Sequence, residues 1–323
     1  TFDAAVQDEI LGQAYALRAL HYFNLTRAWG DVPLVLEPPA SLSEAAMVAR
    51  SPSAEVWARI EADLQEAATR LASGGVDNTD RTQVTPGFVA ALKAKAHAYQ
   101  EEWADAESAA RDVLAMGDFA LAPAFADLFT ADGDPTGEDV FRVLFTATDF
   151  HNLGYYYQYD GRFEIGATAD IYGLYGAGDA RFEWSFDGTR SDGIQVVKFP
   201  TTIGGENLHV IRFAEVKLLL AEALAEQGSL AEAVQHLNDV RTRARAAPYD
   251  FVAGTTSQEA VLDWIHTERR LELAFEGERW FDLVRTGTAA SVLGSAFQAH
   301  EALWPIPVRE LDVAPNLTQN PGY

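Results

Sequence analysis

The chain has no cysteine, which excludes structural disulfides and thiolate-held metals and leaves the redox compartment open. It has no window of ~18 uninterrupted apolar residues, the length a membrane-spanning helix needs. Its first residues, Thr1-Phe2-Asp3, begin close to a helical pattern, without the basic region and apolar core of a secretion signal. Lysine is scarce: Lys93, Lys95, Lys198 and Lys217 are four among 24 basic residues, against 48 acidic ones. With a net charge of −24 and a pI near 4.5, no basic stripe is available to neutralise phosphates, so nucleic acid and anionic lipid surfaces are excluded as partners. An acidic exterior so poor in lysine suits a protein whose self-repulsion is screened by high salt. No low-complexity linker divides the 323 residues, and a 48% apolar content suffices for a sizeable core. The expectation is a single domain, 1–323, carrying an insert.

What the chain does have is helical periodicity. Apolar residues recur at spacings of three and four through 14–29, 56–71, 88–99, 104–116, 210–225, 230–240 and 261–275. Ser51-Pro52 and Thr85-Pro86 read as an N-cap followed by proline at the first helical position, and Gly117, Gly228 and Gly287 stand where helices end. Two helix pairs share one pattern at the same offsets: Ala94, His97, Trp103, Ala106, Ala110 and Ala221, Leu224, Leu230, Ala233, Leu237. Small residues there let paired helices approach closely while a large residue fills the turn, the packing logic of tetratricopeptide repeats. The fold expected is all-α dominated, with tetratricopeptide-like helix pairs forming an α-α superhelix and a loop-rich insert containing short strands. The helical scaffold takes 3–117 and 206–287, the insert 121–205, and a C-terminal tail 288–323.

The insert differs in character. It has short runs at 140–145 and 195–199 and turns at Asp132-Gly133, Asp160-Gly161, Asp187-Gly188 and Asp192-Gly193. It also carries Tyr155, Tyr156, Tyr157, Tyr159 and Phe163, then Tyr172, Tyr175, Phe182, Trp184 and Phe186. Aromatic faces can stack on the apolar faces of sugar rings, and Asn152, Gln158 and Arg162 can hydrogen-bond hydroxyls. The site residues expected are Asn152, Tyr155, Tyr156, Tyr157, Tyr159, Arg162 and Trp184. The competing expectation is that half or more of the rings fill the junction between insert and helices. Trp29, Trp57, Trp103 and Trp264 fall in helical patterns and are read as core.

Catalytic and metal readings are weaker. Asp149, Asp160, Glu164, Asp170, Asp179 and Glu183 include no identifiable glycosidase pair. The seven histidines are scattered, with no HExxH spacing. The run Asp132-x-Asp134-x-Thr136-Gly137 begins like a calcium loop but has Val143 where the bidentate Glu belongs. No metal and no cofactor are expected. The charges of 268–285 favour mutual pairing at helical offsets, Arg269 with Glu272 and Arg285 with Asp282.

Three stretches carry a resemblance: ERRLELAFEGERWFDLVRTG over 268–287, with WPIP at 304–307 and QNPGY at 319–323; RFAEVKLLLAEALAE and NDVRTRARA over 212–246; and AYALRALHYFNLTRAWGDVPLVLEP over 14–38. Together they resemble the SusD/RagB family of outer-membrane nutrient-binding lipoproteins. The resemblance spans nearly the whole chain and thins over 121–205. It implies capture of an oligosaccharide without turnover, and delivery to a partner TonB-dependent (SusC-like) outer-membrane transporter. It also implies a lipid-anchor cysteine ahead of Thr1, which would give the chain its attachment to the outer membrane, on the extracellular face. An oligopeptide cargo, a helical-repeat adaptor binding only protein and an all-α glycoside hydrolase are the alternatives. The resemblance makes Asp179 and Arg181 a structural ion pair.

Overall fold

The computed structural model describes residues 3–131, 135–146, 148–191 and 193–323. Two compact units divide them, one from 1–76 with 280–323 and one from 77–279.

The first unit opens with α1 (Ala4–Trp29), whose first turn is capped by the Asp3 carboxylate accepting the Ala5 N–H at 2.9 Å. The short α2 (Leu42–Ala46) follows, then α3 (Ser53–Gly74). The cap before α3 is Pro52, one residue later than expected, because Ser51 is engaged in an isolated bridge with Val32. Helices α1 and α3 pack along their length, and glycine sets how closely. A Cβ on Gly12 would lie 2.9 Å from the Leu71 side chain, and one on Gly74 would lie 2.9 Å from the Glu9 nitrogen.

The second unit holds the repeats. α4 (Pro86–Tyr99) starts as expected, with Thr85 Oγ1 accepting the Phe88 N–H and proline in the first turn. It pairs with α5 (Trp103–Met116), which ends at left-handed Gly117. The second pair is α9 (Phe213–Glu226) and α10 (Leu230–Arg243), and α11 (Gln258–Glu272) packs on both. Every residue of α9 from Phe213 to Ala225 is buried, as a helix surrounded by neighbours requires. Of the small residues in the shared pattern, Ala94, Ala106, Ala110, Ala221 and Ala233 are all buried, while the contact between the pairs is made by Ala98, Ala106, Leu219 and Ala223 against Trp103, of which the pattern contains only Ala106 and Trp103.

Between the pairs runs the insert. β1 (Asp139–Val143) enters it and β4 (Leu208–Arg212) leaves it, antiparallel partners with Asp139 opposite Arg212. Helix expected from residue 210 therefore begins only at Phe213: 208–212 supply the ladder hydrogen bonds that β1 needs. Inside lie α6 (Leu153–Tyr157), α7 (Ala169–Tyr172), α8 (Arg181–Ser185) and the hairpin β2 (Phe186–Asp187) with β3 (Gln195–Val196). The expected turns at Asp132-Gly133 and Asp192-Gly193, and Asp132 and Asp134 of the calcium-like loop, lie outside the described residues.

The chain returns to the first unit through α12 (Arg279–Arg285), α13 (Ala289–Leu293) and α14 (Val308–Val313). Its closing residues are bolted to α1. Asn320 Nδ2 donates to the carbonyls of Trp29 and Trp304, while Arg50 donates to Trp29 O at 3.1 Å and Thr318 O at 3.0 Å.

Candidate functional site

Residues 150–165 curl around α6. The His151 N–H donates to Gly204 O, and a Cβ on Gly154 would run into the Thr201 carbonyl, so 199–204 press on one side of the helix. On the other, the Arg162 N–H donates to Tyr155 O and the Ile165 N–H to Tyr156 O, closing the loop. This fixes where each ring points. Tyr155 is 37% exposed and meets Tyr156 edge-on, centroids 5.7 Å apart. Asn152 is exposed, its side chain without a partner among the described residues. Arg162 is exposed and paired with Glu164.

Tyr157 and Tyr159 are committed inward. Tyr157 lies parallel to Phe199 and edge-on to Phe275, both centroids at 5.8 Å, and burial raises its phenol pKa. The Tyr159 hydroxyl donates to Gly193 O, its N–H donates to Gln195 Oε1, and its ring meets Phe163 at 4.6 Å under the Arg190 guanidinium. Tyr172, Tyr175, Phe182 and Phe186 form a small aromatic core, each touching two or more of the others. The Tyr175 hydroxyl donates to Leu271 O at 2.8 Å, and burial pushes its pKa well up. Trp184 differs from its neighbours: it is 43% exposed and has no ring contact with the tyrosines among the described residues. Among the described insert aromatics the exposed ones are Phe150, Tyr155 and Trp184, and Tyr156 is half-buried beside Tyr155. Sequence reading overlooked Phe150, 51% exposed beside the same loop, and Arg190, which covers Tyr159. Neither sits in a pattern that would single it out.

Two of the insert carboxylates, Asp170 and Asp187, are held by neighbouring donors. Asp170 is held below the ordinary range by the Arg270 guanidinium, and Asp187 by the backbone N–H and hydroxyl of Thr189. A general acid needs the opposite shift.

A model described as "SusD family" matches residues 90–303, and one described as "Starch-binding associating with outer membrane" matches 3–97. The chain belongs to the SusD family. SusD-like protein P38 of Formosa agariphila is 28% identical over 98% of this chain and 74% of its own length. The starch-binding protein SusD of Bacteroides thetaiotaomicron is 31% identical over 42% of this chain and 24% of its own. The structure of a laminarin-binding SusD-like protein superposes with a TM-score of 0.82 at 26% identity, over 100% of this chain and 80% of that one. SusD-like proteins bind carbohydrate and are not enzymes as a family. No helix among the described residues is long and apolar enough to cross a membrane.

The charged SusD-family signature is buried ionic framework beneath the insert. Arg181, fully buried, grips Asp179 through Nε (2.9 Å) and Nη2 (2.7 Å) and donates to Glu268 at 2.6 Å and Glu272 at 3.0 Å. Arg212 donates to Glu138 at 2.5 Å, Glu272 at 2.9 Å and Glu276 at 2.7 Å, and Arg243 donates to Glu138 and Glu272. Arg241 reaches Glu268 at 2.5 Å and Lys198 reaches Glu276 at 2.6 Å. Basic groups Arg181, Lys198, Arg212, Arg241 and Arg243 face carboxylates Glu138, Asp179, Glu268, Glu272 and Glu276, five of each. Such groups survive burial only when paired and hydrogen-bonded. The structural reading of Asp179 and Arg181 holds, and Arg285 does pair with Asp282, at 2.9 Å. Arg269 with Glu272 is corrected: Glu272 is taken by Arg181, Arg212 and Arg243, and Arg269 turns to Glu215. Because Arg181 opens α8, the network also anchors the segment that displays Trp184.

Proposed function

We propose that this chain captures a neutral oligosaccharide at the extracellular face of the outer membrane, on a platform of Tyr155, Tyr156 and Trp184 with Asn152 and Arg162, and passes it to a TonB-dependent transporter without hydrolysing it. The observation that carries the reading is the open ring of Trp184, set on a helix whose first residue is locked into a buried ionic network. Rigid aromatic faces bind sugars at low entropic cost. Tyr157 and Tyr159 support the platform from below. The family match and the relatives named for starch and laminarin support the sugar class. The net charge of −24 disfavours sulfated or uronic chains and so supports a neutral one. A lipid anchor and the transporter are the parts of the proposal that rest on family membership alone.

Calorimetric titration with laminarin, starch-derived and cellulose-derived oligosaccharides tests the reading. Saturable binding with no reducing ends released above a buffer control is the expected result. Turnover would overturn the non-enzymatic part. Binding to mixed oligopeptides and to none of the glucans would overturn the ligand class.

A further inference from the structure

The SusD-family match assigns no role to the aromatic groove in the unit formed by 1–76 and 280–323. Its open volume is about 460 Å³, and it is lined by Trp280, Leu293, Phe297, Glu301, Trp304 and Tyr323. We propose that this groove is a second carbohydrate subsite, taking one or two residues of a neutral hexose chain.

Sequence brings these rings together from three places: α12 supplies Trp280, the turn after Gly294 supplies Phe297, and the tail supplies Trp304 and Tyr323. A structural cluster would turn all of its rings inward. Here Trp304 stays 39% and Tyr323 48% exposed. Both are nonetheless held rigidly. Trp304 meets Trp29 edge-on at 5.3 Å, and its backbone N–H donates to Ala28 O at 2.7 Å. The Tyr323 hydroxyl donates to Leu303 O at 2.9 Å, and its ring meets His300 at 4.8 Å. Fixed aromatic faces beside solvent are what the CH faces of a pyranose pack against.

Polar groups complete the groove. Trp280, edge-on to Phe297 at 6.1 Å, has its indole Nε1 buried with no acceptor among the described residues. Orphaned buried donors are rare, and this one lies in a residue of the groove wall. Glu301 accepts the Gln298 N–H through Oε2 at 2.7 Å, and its Oε1 has no hydrogen-bond partner among the described residues. A sugar hydroxyl in the groove can donate its hydrogen to the free oxygen of the Glu301 carboxylate. The same carboxylate, on a chain of net charge −24, opposes a uronate or sulfate in the groove. The volume lies low in the ~300–1,000 Å³ range of small-molecule sites, which limits occupancy to a short stretch of chain. This subsite does not depend on the platform carrying Trp184, and one experiment can separate the two.

Indole N–H resonances of Trp184, Trp280 and Trp304 in the full ¹⁵N-labelled chain would be followed during titration with laminarihexaose and maltohexaose, each to about 10 mM, a range that captures weak sites. The expected result is that Trp280 and Trp304 shift along a saturation curve of their own. Tyr323→Ala, at an exposed terminal ring, should weaken that curve about tenfold and leave the Trp184 curve in place. Trp184→Ala, which removes its own resonance, should leave the Trp280 and Trp304 curve in place. Glu301→Gln keeps the groove's shape and should also weaken the groove's curve, so a misfolded tyrosine variant would not decide the outcome. Absence of any shift at Trp280 and Trp304, or a curve indifferent to both groove variants, overturns the subsite. Loss of the Trp184 response alone overturns the platform and leaves the groove standing.

Discussion

The ring of Tyr157 lies parallel to that of Phe199, 13° between planes and 5.8 Å between centroids, with the edge of Phe275 against it. That stack divides the aromatic insert in two. Tyr157 belongs to the packed side, with Phe186 and Tyr175, while Tyr155, two residues earlier on the same short helix, faces solvent. Phe275 reaches this position from a left-handed backbone, φ +68°, just beyond the end of α11.

The division predicts a split between affinity and stability. Tyr155→Ala and Trp184→Ala should each weaken glycan binding by about 1 kcal/mol, the worth of a lost stacking contact, with the melting temperature nearly unchanged. Tyr157→Ala should lower stability instead, by somewhat less than the ~3–5 kcal/mol of a fully buried ring. Calorimetry and thermal melts on the same three variants check this. Unchanged affinity in the first two would remove the platform.

Arg181→Met should cost about 3–5 kcal/mol in urea unfolding, because it leaves Asp179, Glu268 and Glu272 buried with fewer partners. It should also reduce glycan affinity by loosening α8 under Trp184. A loss below about 1 kcal/mol would show that the network does not fix the insert.

Stability should respond to pH at both ends of the range through two neighbours. Burial, reinforced by the charge of Arg212, lowers the Lys198 pKa from 10.5 to about 8. The unfolded chain therefore holds more protons between these values, and stability should rise as pH climbs from about 8 toward 10.5, by at most about 3 kcal/mol from this group. The carboxyl of Glu276 is lowered to about 2 by Arg212 and Lys198, which outweigh its burial. Its contribution is present above the ordinary carboxylate range and fades as pH falls toward 2. Urea midpoints across pH would show the alkaline rise vanish in Lys198→Met and the acid loss shrink in Glu276→Gln. A flat alkaline limb in the wild type would contradict the first.

Three of the four lysines are buried: Lys95 between Glu215 and Glu278, Lys198 in the ionic network, and Lys217 against Asp239. Lys93 is half-buried, so surface positive charge is almost all arginine. An amine-reactive reagent applied to the native chain should label Lys93 far faster than the other three, as read by peptide mass mapping.

The same acidic exterior predicts a melting temperature that climbs between low salt and about 2 M sodium chloride, as screening relieves the repulsion of a net −24 chain. Sodium sulfate at matched ionic strength separates this from general salting-out. A melting temperature that stays flat or falls would reject a salt-adapted exterior.

The sequence determined the helices and the family on its own. Apolar spacing places α4, α5, α9 and α10, and the equivalent small residues Ala106 and Ala233 of the shared pattern are both buried. Helical burial repeats every three or four residues and leaves a trace in the chain. The strand at 208–212 left a poorer one: its partner β1 is about 70 residues away, and pairing at such distance is settled by the whole fold. Only the tertiary structure decided which insert rings are open. Tyr155, Tyr156 and Tyr157 are consecutive and chemically identical, and their roles are assigned by Phe199, Phe275 and the loop at 199–204, which reach them from elsewhere in the chain. The same holds for Glu272. Its offset from Arg269 suggests a local pair, but three arginines brought in by the fold outcompete that neighbour, because a buried carboxylate takes the partners that best replace water.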